Sequence, residues 1–214
     1  MSVEPVDTEA VHGSLHRPDG PPCGALALTH GAGSASDAAI LQRICHRFAE
    51  HGFLALRYDL PFRRRNPKGP PQPSRAGEDR AGVAAAAATL RALTGGPLLI
   101  GGVSYGGRQT SMLVAERPHI ADALVLLSYP LHPPGKPEKT RTEHLPNIEV
   151  PTVFVHGARD PFGSADELRE AAALIPAATT LVDVPAAGHD LSRAKIDPSD
   201  ATFAAVTELL EGAP

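Results

Sequence analysis

The stretch that decides the fold is Leu98-Leu99-Ile100-Gly101-Gly102-Val103-Ser104-Tyr105-Gly106-Gly107-Arg108. Its apolar first half predicts a buried strand, and the residues after Ser104 predict a helix over 105–117. Gly102 and Gly106 stand two residues before and after Ser104, which is the G-x-S-x-G pattern of a sharp strand-to-helix turn. Such a turn lifts a serine hydroxyl clear of the backbone. Ser104 is therefore the candidate nucleophile, and its place between a strand and a helix disfavours the alternative of a glycine-rich β-turn with a buried serine.

Short apolar runs alternate with helix-length segments along the rest of the chain. Runs that are apolar throughout are typical of strands buried on both faces. We therefore predict an α/β fold over 1–214 as a single domain, with a doubly wound, mostly parallel sheet of about six to seven strands and helices on both faces. The predicted strands are 25–28, 53–56, 97–100, 123–127, 153–155 and 180–182, with an edge strand at 11–17, and the predicted helices are 37–51, 78–94, 105–117, 164–174 and 198–211.

A serine nucleophile needs a general base, and the base needs an acid that fixes its tautomer. In chains with this serine turn, the order of the three groups is serine, acid, histidine. Asp160 follows the strand predicted to end near His156, and His189 follows the next strand. Both are expected at the same edge of the sheet as Ser104. Taken alone, Asp160 also fits a turn or a helix cap, and His189 also fits a solvated loop.

Other acids and histidines lie near the same edge. Asp183 falls within a predicted strand, Asp190 is too close to His189 in sequence to orient it well, and Asp59 is the best spare acid. Of the histidines, His132 is also near this edge, and His156 is placed to flank the acid loop rather than to act as the base.

The loop from Thr29 to Ser34 follows the strand at 25–28, where this type of site draws its second oxyanion amide. We predict the amides of Tyr105 and Ala32 as the oxyanion donors, and His30, Gly31 and Gly33 as substrate-binding residues. A dinucleotide-binding G-x-G-x-x-G is the alternative, but Ser36 stands at the third glycine. A phosphate-loop interpretation of 101–110 fails because no lysine follows the glycines.

About 20 residues separate the predicted strands on either side of 128–152, which is too few for a helical lid. An open site is expected, with Pro130 to Pro137 either as a stiff rim or as a loop packed for stability. Tyr129, His132 and Lys136 are predicted to bind substrate there. The run from Arg63 to Arg65 indicates a solvated basic loop. The alternative is that it forms a rim of the site that selects anionic esters.

Charge and composition exclude several classes of partner. The net charge is −4, and no apolar run approaches the roughly 20 residues that span a bilayer. A small-molecule substrate is expected, with no nucleic acid, membrane, metal or cofactor, and with the oligomeric state open. The first residues lack the pattern of a signal peptide, so a cytoplasmic location is predicted.

Cys23 and Cys45 are predicted to be free, buried thiols.

From about Cys23 to the end, the chain resembles the α/β-hydrolase superfamily in its small, capless, dienelactone-hydrolase-like form. The segments 104–108, 129–137 and 160–163 resemble a narrower group that includes testis-expressed protein thirty and the third regulatory subunit of the NSL acetyltransferase complex. The resemblance implies Ser104, Asp160 and His189 as a catalytic triad. Tyr105 departs from the group, in which a smaller or methionine-like residue is usual. The predicted function is serine-dependent hydrolysis of a small ester or thioester, and the alternative is a catalytically silent binding or scaffold protein.

Overall fold

The computed structural model describes residues 1–212, which are built on one eight-stranded sheet. Its spatial order is β1-β2-β4-β3-β5-β6-β7-β8. Strands β3 to β8 pair in parallel, whereas β1 and β2 are antiparallel to their neighbours. The predicted mostly parallel sheet is confirmed, with one strand more than the upper estimate. The strands are β1 Ser2–Asp7, β2 His12–Arg17, β3 Gly24–Thr29, β4 Phe53–Tyr58, β5 Leu98–Val103, β6 Ala123–Leu127, β7 Thr152–Gly157 and β8 Thr179–Val184.

The prediction of an edge strand at 11–17 was wrong in its position. Strand β2 lies between β1 and β4, and β1 forms the edge. Strand β1 lacks a continuous apolar run and carries Pro5, which cannot donate a ladder hydrogen bond and is tolerated at a sheet edge. A search of the sequence for continuous apolar runs therefore does not find β1.

Helices cover both faces of the sheet, as predicted. They are α1 Ala39–Glu50, α2 Pro61–Arg65, α3 Ala76–Arg91, α4 Tyr105–Glu116, α5 Ala165–Ala172 and α6 Ser199–Glu211. Phe48 of α1 and Val206 of α6 pack in one core, whereas Val83, Leu113 and Leu168 of the other helices pack in a second core. The five predicted helices are confirmed to within a few residues, and the short, arginine-rich α2 was not predicted.

The segment after β6 leaves the carboxyl edge of the sheet open. Between Leu127 and Thr152 the only helical element is the 3₁₀ turn Leu145–Asn147, so the predicted lack of a lid domain is confirmed for the described chain. No helix within residues 1–212 has the length and apolar character needed to cross a membrane.

The two cysteines differ in their surroundings. Cys45 is buried in α1, and burial raises the pKa of its thiol to about 12. Cys23 immediately precedes β3 and is exposed, so the prediction that both thiols are buried was wrong for Cys23. The buried strand β3 begins one residue later, at Gly24, so Cys23 lies outside it.

Candidate active site

Ser104 occupies a strained turn between β5 and α4. Its φ is 50° and its ψ is −113°, a positive-φ conformation that costs a non-glycine residue about 1–3 kcal/mol. The Ser104 amide donates to the carbonyl of Leu127 at 2.8 Å, which ties the turn to the end of β6. The side chain is half-buried at the carboxyl edge of the sheet. This is the geometry that the sequence pattern predicts.

The turn at Ser104 packs tightly against the end of β3. The lack of a side chain at Gly102 and Gly106 makes this close approach possible. A Cβ on Gly106 would lie 2.4 Å from the His30 carbonyl oxygen and 2.7 Å from Thr29 Cγ2. A Cβ on Gly102 would lie 2.8 Å from the Thr29 carbonyl oxygen. Both separations are well inside van der Waals contact, so no side chain fits at either position without a shift of backbone.

The structure brings Ser104, His189 and Asp160 together in one hydrogen-bonded line. Ser104 Oγ lies 2.9 Å from His189 Nε2, and His189 Nδ1 lies 2.7 Å from Asp160 Oδ2. The Asp160 side chain is fully buried, whereas His189 keeps about a quarter of its surface exposed. A carboxylate at Nδ1 places the ring proton there, which leaves Nε2 as the acceptor for the serine proton.

The acid loop is braced from two sides. Asp160 Oδ1 accepts the amide of Phe162 at 2.9 Å, so both carboxylate oxygens are engaged. His156 is buried and hydrogen-bonds the Gly163 carbonyl at 2.7 Å through Nε2. His156 therefore flanks the acid loop and does not reach Ser104.

The histidine loop is held by contacts from the ends of two neighbouring strands, β6 and β7. Ser128, just after β6, donates through Oγ to the carbonyl of His189 at 2.8 Å. The ring of Phe162 packs against the imidazole at a centroid distance of 4.2 Å. Gly157 lies so close that a Cβ there would be 2.4 Å from the Gly188 carbonyl oxygen. These contacts fix the position and the tilt of His189.

The two predicted oxyanion donors are backbone amides in segments that adjoin Ser104, and within residues 1–212 neither is recorded as donating a hydrogen bond. Tyr105 is the first residue of α4, so its N–H belongs to the helix turn that has no intrahelical partner. Ala32 follows Gly31, on which a Cβ would lie 3.5 Å from Ser104 Cβ. Within residues 1–212 the Ala32 amide donates to no protein group. That these two amides bind the oxyanion stays a prediction.

His30 has a structural position rather than the substrate-facing one that was predicted. Its side chain is fully buried, and its Nε2 accepts the Leu60 amide at 3.1 Å. The ring proton is therefore on Nδ1, which donates to the Gly31 carbonyl at 2.8 Å. Burial lowers the pKa of His30, which favours this neutral form. The Gly31 carbonyl and the Ala32 amide belong to one peptide unit, so His30 orients the predicted donor from behind.

The Tyr105 side chain turns away from the serine. Its hydroxyl donates to Asp79 Oδ2 at 2.7 Å, and Asp79 Oδ1 accepts the Phe62 amide at 2.9 Å. Burial and the Asp79 carboxylate raise the pKa of Tyr105. Asp79 is fully buried and joins α2, α3 and α4 at this point.

The predictions of Tyr129 and His132 as substrate-binding side chains were wrong. Tyr129 is fully buried and donates to the Arg141 carbonyl at 2.6 Å. His132 is also buried, with Nδ1 3.0 Å from the Pro133 carbonyl oxygen. Backbone carbonyls of the 129–141 segment bind both side chains, and His132 Nε2 faces Glu167 at 3.5 Å. Lys136 and Gly33 are exposed, and their predicted contact with substrate stays a prediction.

The spare acids are used elsewhere. Asp59 accepts the Ser36 amide at 2.7 Å, which leaves the acid of the alternative dinucleotide site engaged with the protein itself. Asp183 lies in β8, and Asp190 accepts the Ser192 amide at 3.1 Å. No group of three metal-ligating side chains occurs within residues 1–212.

The three consecutive arginines are not one solvated basic loop. Arg65 pairs with Glu78, and Arg64 reaches the Glu9 carbonyl at 2.7 Å. Arg63 is buried beneath the 31–34 loop and donates to the carbonyl of Ala32 at 2.7 Å. The run of like charges suggested a common surface role, and nothing in it distinguishes Arg63. Asp79 was missed as well, because an acidic residue in the first turn of a helix has the pattern of an ordinary surface position.

Comparison with known proteins agrees with this architecture. The model of the alpha/beta hydrolase domain family matches residues 22–209. Dienelactone hydrolase from Anabaena variabilis matches with a TM-score of 0.74 and 20% identity over 98% of this chain and 97% of that one. A serine hydrolase without a lid from Xanthomonas campestris matches with a TM-score of 0.75 and 16% identity over 100% and 96%. Est1E from Butyrivibrio proteoclasticus, solved with ferulic acid bound, matches with a TM-score of 0.74 and 17% identity over 97% and 98%.

Proposed function

The chain belongs to the alpha/beta hydrolase domain family, and from that premise we propose that it is a serine hydrolase that cleaves small esters or thioesters through an acyl-enzyme intermediate. The observation that carries the proposal is the continuous line from Ser104 Oγ to His189 to Asp160, at 2.9 Å and 2.7 Å. A nucleophile, a base and an orienting acid at hydrogen-bonding distance are what acyl transfer requires. The amides of Tyr105 and Ala32, as the proposed oxyanion donors, complete the set.

The reaction follows from the roles that these atoms can take. Ser104 Oγ attacks the acyl carbon while His189 Nε2 takes the serine proton. The carbonyl oxygen becomes negative and is stabilised by the amides of Tyr105 and Ala32, each of which is worth roughly 3 kcal/mol in sites of this type. His189 then gives its proton to the leaving alcohol or thiol. Water then attacks the acyl carbon while His189 Nε2 takes its proton. The bond from the acyl carbon to Ser104 Oγ breaks, the proton passes from His189 to Ser104 Oγ, and the carboxylic acid leaves.

The open site favours small substrates without a preference for long chains. No lid domain covers the site within the described chain, so little apolar surface surrounds a bound acyl group. We therefore expect short acyl esters and thioesters to be the best substrates. A feruloyl ester is a further candidate because Est1E, which has a similar fold, was solved with ferulic acid bound. The resemblance to the testis-expressed protein thirty group and a cytoplasmic location stay predictions from the sequence.

Hydrolysis of a panel of p-nitrophenyl esters and acyl thioesters tests the proposal. We expect turnover by the wild type and a loss of about six orders of magnitude, to background, in Ser104→Ala. His189→Ala should fall comparably. Ser74→Ala and His119→Ala are matched controls, since both side chains are exposed and lie outside the site. Wild-type protein that folds but hydrolyses none of the panel supports the scaffold alternative instead.

A further inference from the structure

The guanidinium of Arg63 donates hydrogen bonds to the loop that carries the Ala32 amide. Its Nη2 donates to the Ala32 carbonyl at 2.7 Å and its Nε to the Ser34 carbonyl at 2.9 Å. On its other side, Nη1 donates to the Pro67 carbonyl at 2.7 Å. Arg63 thus joins the loop of residues 31–34 to the turn that follows α2.

This loop has little else to hold it in one conformation. Gly31, Ala32 and Gly33 present no side chain larger than a methyl group, and a Cβ on Gly33 would meet nothing within 4 Å. A glycine-rich segment loses more backbone entropy on ordering than any other sequence. The remaining ties are the buried His30 and a long 3.3 Å hydrogen bond from the Ser34 amide to the Gly31 carbonyl. The guanidinium supplies two of the shortest hydrogen bonds on the loop.

The surroundings of Arg63 separate it from its neighbours. It is 7% exposed, and within residues 1–212 all of its hydrogen-bond acceptors are backbone carbonyls. A buried cation with no carboxylate partner keeps its positive field, which here lies behind the Ala32 peptide. Arg64 and Arg65 are exposed, and among the described residues their hydrogen-bond partners are Thr8, Glu9 and Glu78 rather than groups of the loop.

We propose that Arg63 is a positioning residue that fixes the Ala32 amide toward the oxygen of the acyl group and favours negative charge on it. The inference rests on the proposed hydrolase function and adds a residue to it. His30 orients the peptide unit between Gly31 and Ala32, whereas Arg63 holds the next unit through its carbonyl. The planar fork of an arginine spans two carbonyls of one loop at fixed geometry, and a lysine ammonium does not.

Kinetics of two Arg63 variants test the role proposed for Arg63 in the reaction. Arg63→Ala should lower kcat by roughly 30-fold with KM nearly unchanged, because loss of a whole oxyanion donor costs about 10²–10³. Arg63→Lys should recover only part of the rate, and ethylguanidinium added to Arg63→Ala should recover more than ethylammonium does. The matched controls Arg64→Ala and Arg65→Ala should keep wild-type kcat. Thermal unfolding curves identify an assay temperature at which every variant is folded.

Hydrogen–deuterium exchange of the segment 31–36 gives a readout that does not depend on activity. We expect faster exchange there in Arg63→Ala and wild-type exchange in Arg65→Ala. Unchanged exchange, or a folded Arg63→Ala with wild-type kcat or with a change in KM alone, overturns the inference. A wild type without hydrolysis would instead remove the proposed function, and with it the catalytic meaning of Arg63, even if exchange shows that Arg63 holds the loop.

Discussion

Replacing Asp160 by asparagine should reverse the tautomer of His189. Asp160 Oδ1 accepts the Phe162 amide at 2.9 Å, and this donor will hold the asparagine oxygen in the same place. The new amide nitrogen then occupies the position of Oδ2, 2.7 Å from His189 Nδ1. An N–H group there requires an unprotonated Nδ1, so the imidazole proton moves to Nε2. A protonated Nε2 faces Ser104 Oγ at 2.9 Å and is unable to take the serine proton.

The structure sets both the size of the expected loss and its control. We expect kcat for a p-nitrophenyl ester to fall by about 10³–10⁴ near neutral pH, or about 4–5.5 kcal/mol of transition-state stabilisation, because geometry is kept while the base is lost. Asp183→Asn is the matched control, since Asp183 lies in β8 and its carboxylate pairs with Arg169, at 3.9 Å, rather than with His189. Circular dichroism and thermal unfolding check that both variants fold. An Asp160→Asn enzyme that is folded and retains kcat within about tenfold would refute the assignment of Asp160 as the orienting acid.

Three further predictions concern stability and the division of roles around the serine turn. Gly106→Ala places a Cβ 2.4 Å from the His30 carbonyl oxygen, so urea denaturation should show a loss of roughly 3 kcal/mol or more, and wild-type stability would contradict the packing described. Tyr105→Phe removes the donor to buried Asp79 and should lower the free energy of unfolding by about 1–3 kcal/mol, while kcat stays close to wild type because Tyr105 acts through its amide; a large loss of kcat with intact stability would argue for the hydroxyl instead. Burial, with a smaller contribution from a nearby arginine, lowers the pKa of His16 from 6.5 to about 4; the unfolded chain therefore binds this proton first, and stability should decline as the pH falls from about 6.5 to about 4, by up to about 3 kcal/mol. Denaturation at several pH values should show a shallower decline in His16→Phe, and an unchanged slope would speak against His16 as its source.

The parts of the fold that were predicted from the sequence depend on local pattern. A run that is apolar throughout marks a strand with two covered faces, and the turn around Ser104 needs glycines at fixed offsets. For the same reason Asp160 and His189 were placed on loops at one edge, since parallel strands bring their carboxyl ends together. Strand β1 was missed because an edge strand needs no apolar run.

The surroundings of the site were less predictable because they depend on which way a side chain turns. His30, Tyr129 and His132 stand in loops at the carboxyl edge, yet their side chains are buried and bind backbone groups. Arg63 has two arginines after it in the chain, and only tertiary packing singles it out. The sequence therefore predicts which loops meet at the edge of the sheet, whereas the hydrogen-bond partners of the buried polar side chains come from the folded structure.

Covalent labelling with a fluorophosphonate, read by intact-protein and peptide mass spectrometry, tests whether Ser104 is an activated nucleophile. A serine activated by His189 reacts with such a probe, whereas an ordinary hydroxyl does not. We expect a single adduct on Ser104 that is absent in Ser104→Ala, formed much more slowly in His189→Ala and unchanged in Ser74→Ala. A folded wild-type protein that stays unlabelled, or that carries the adduct on another residue, would contradict it.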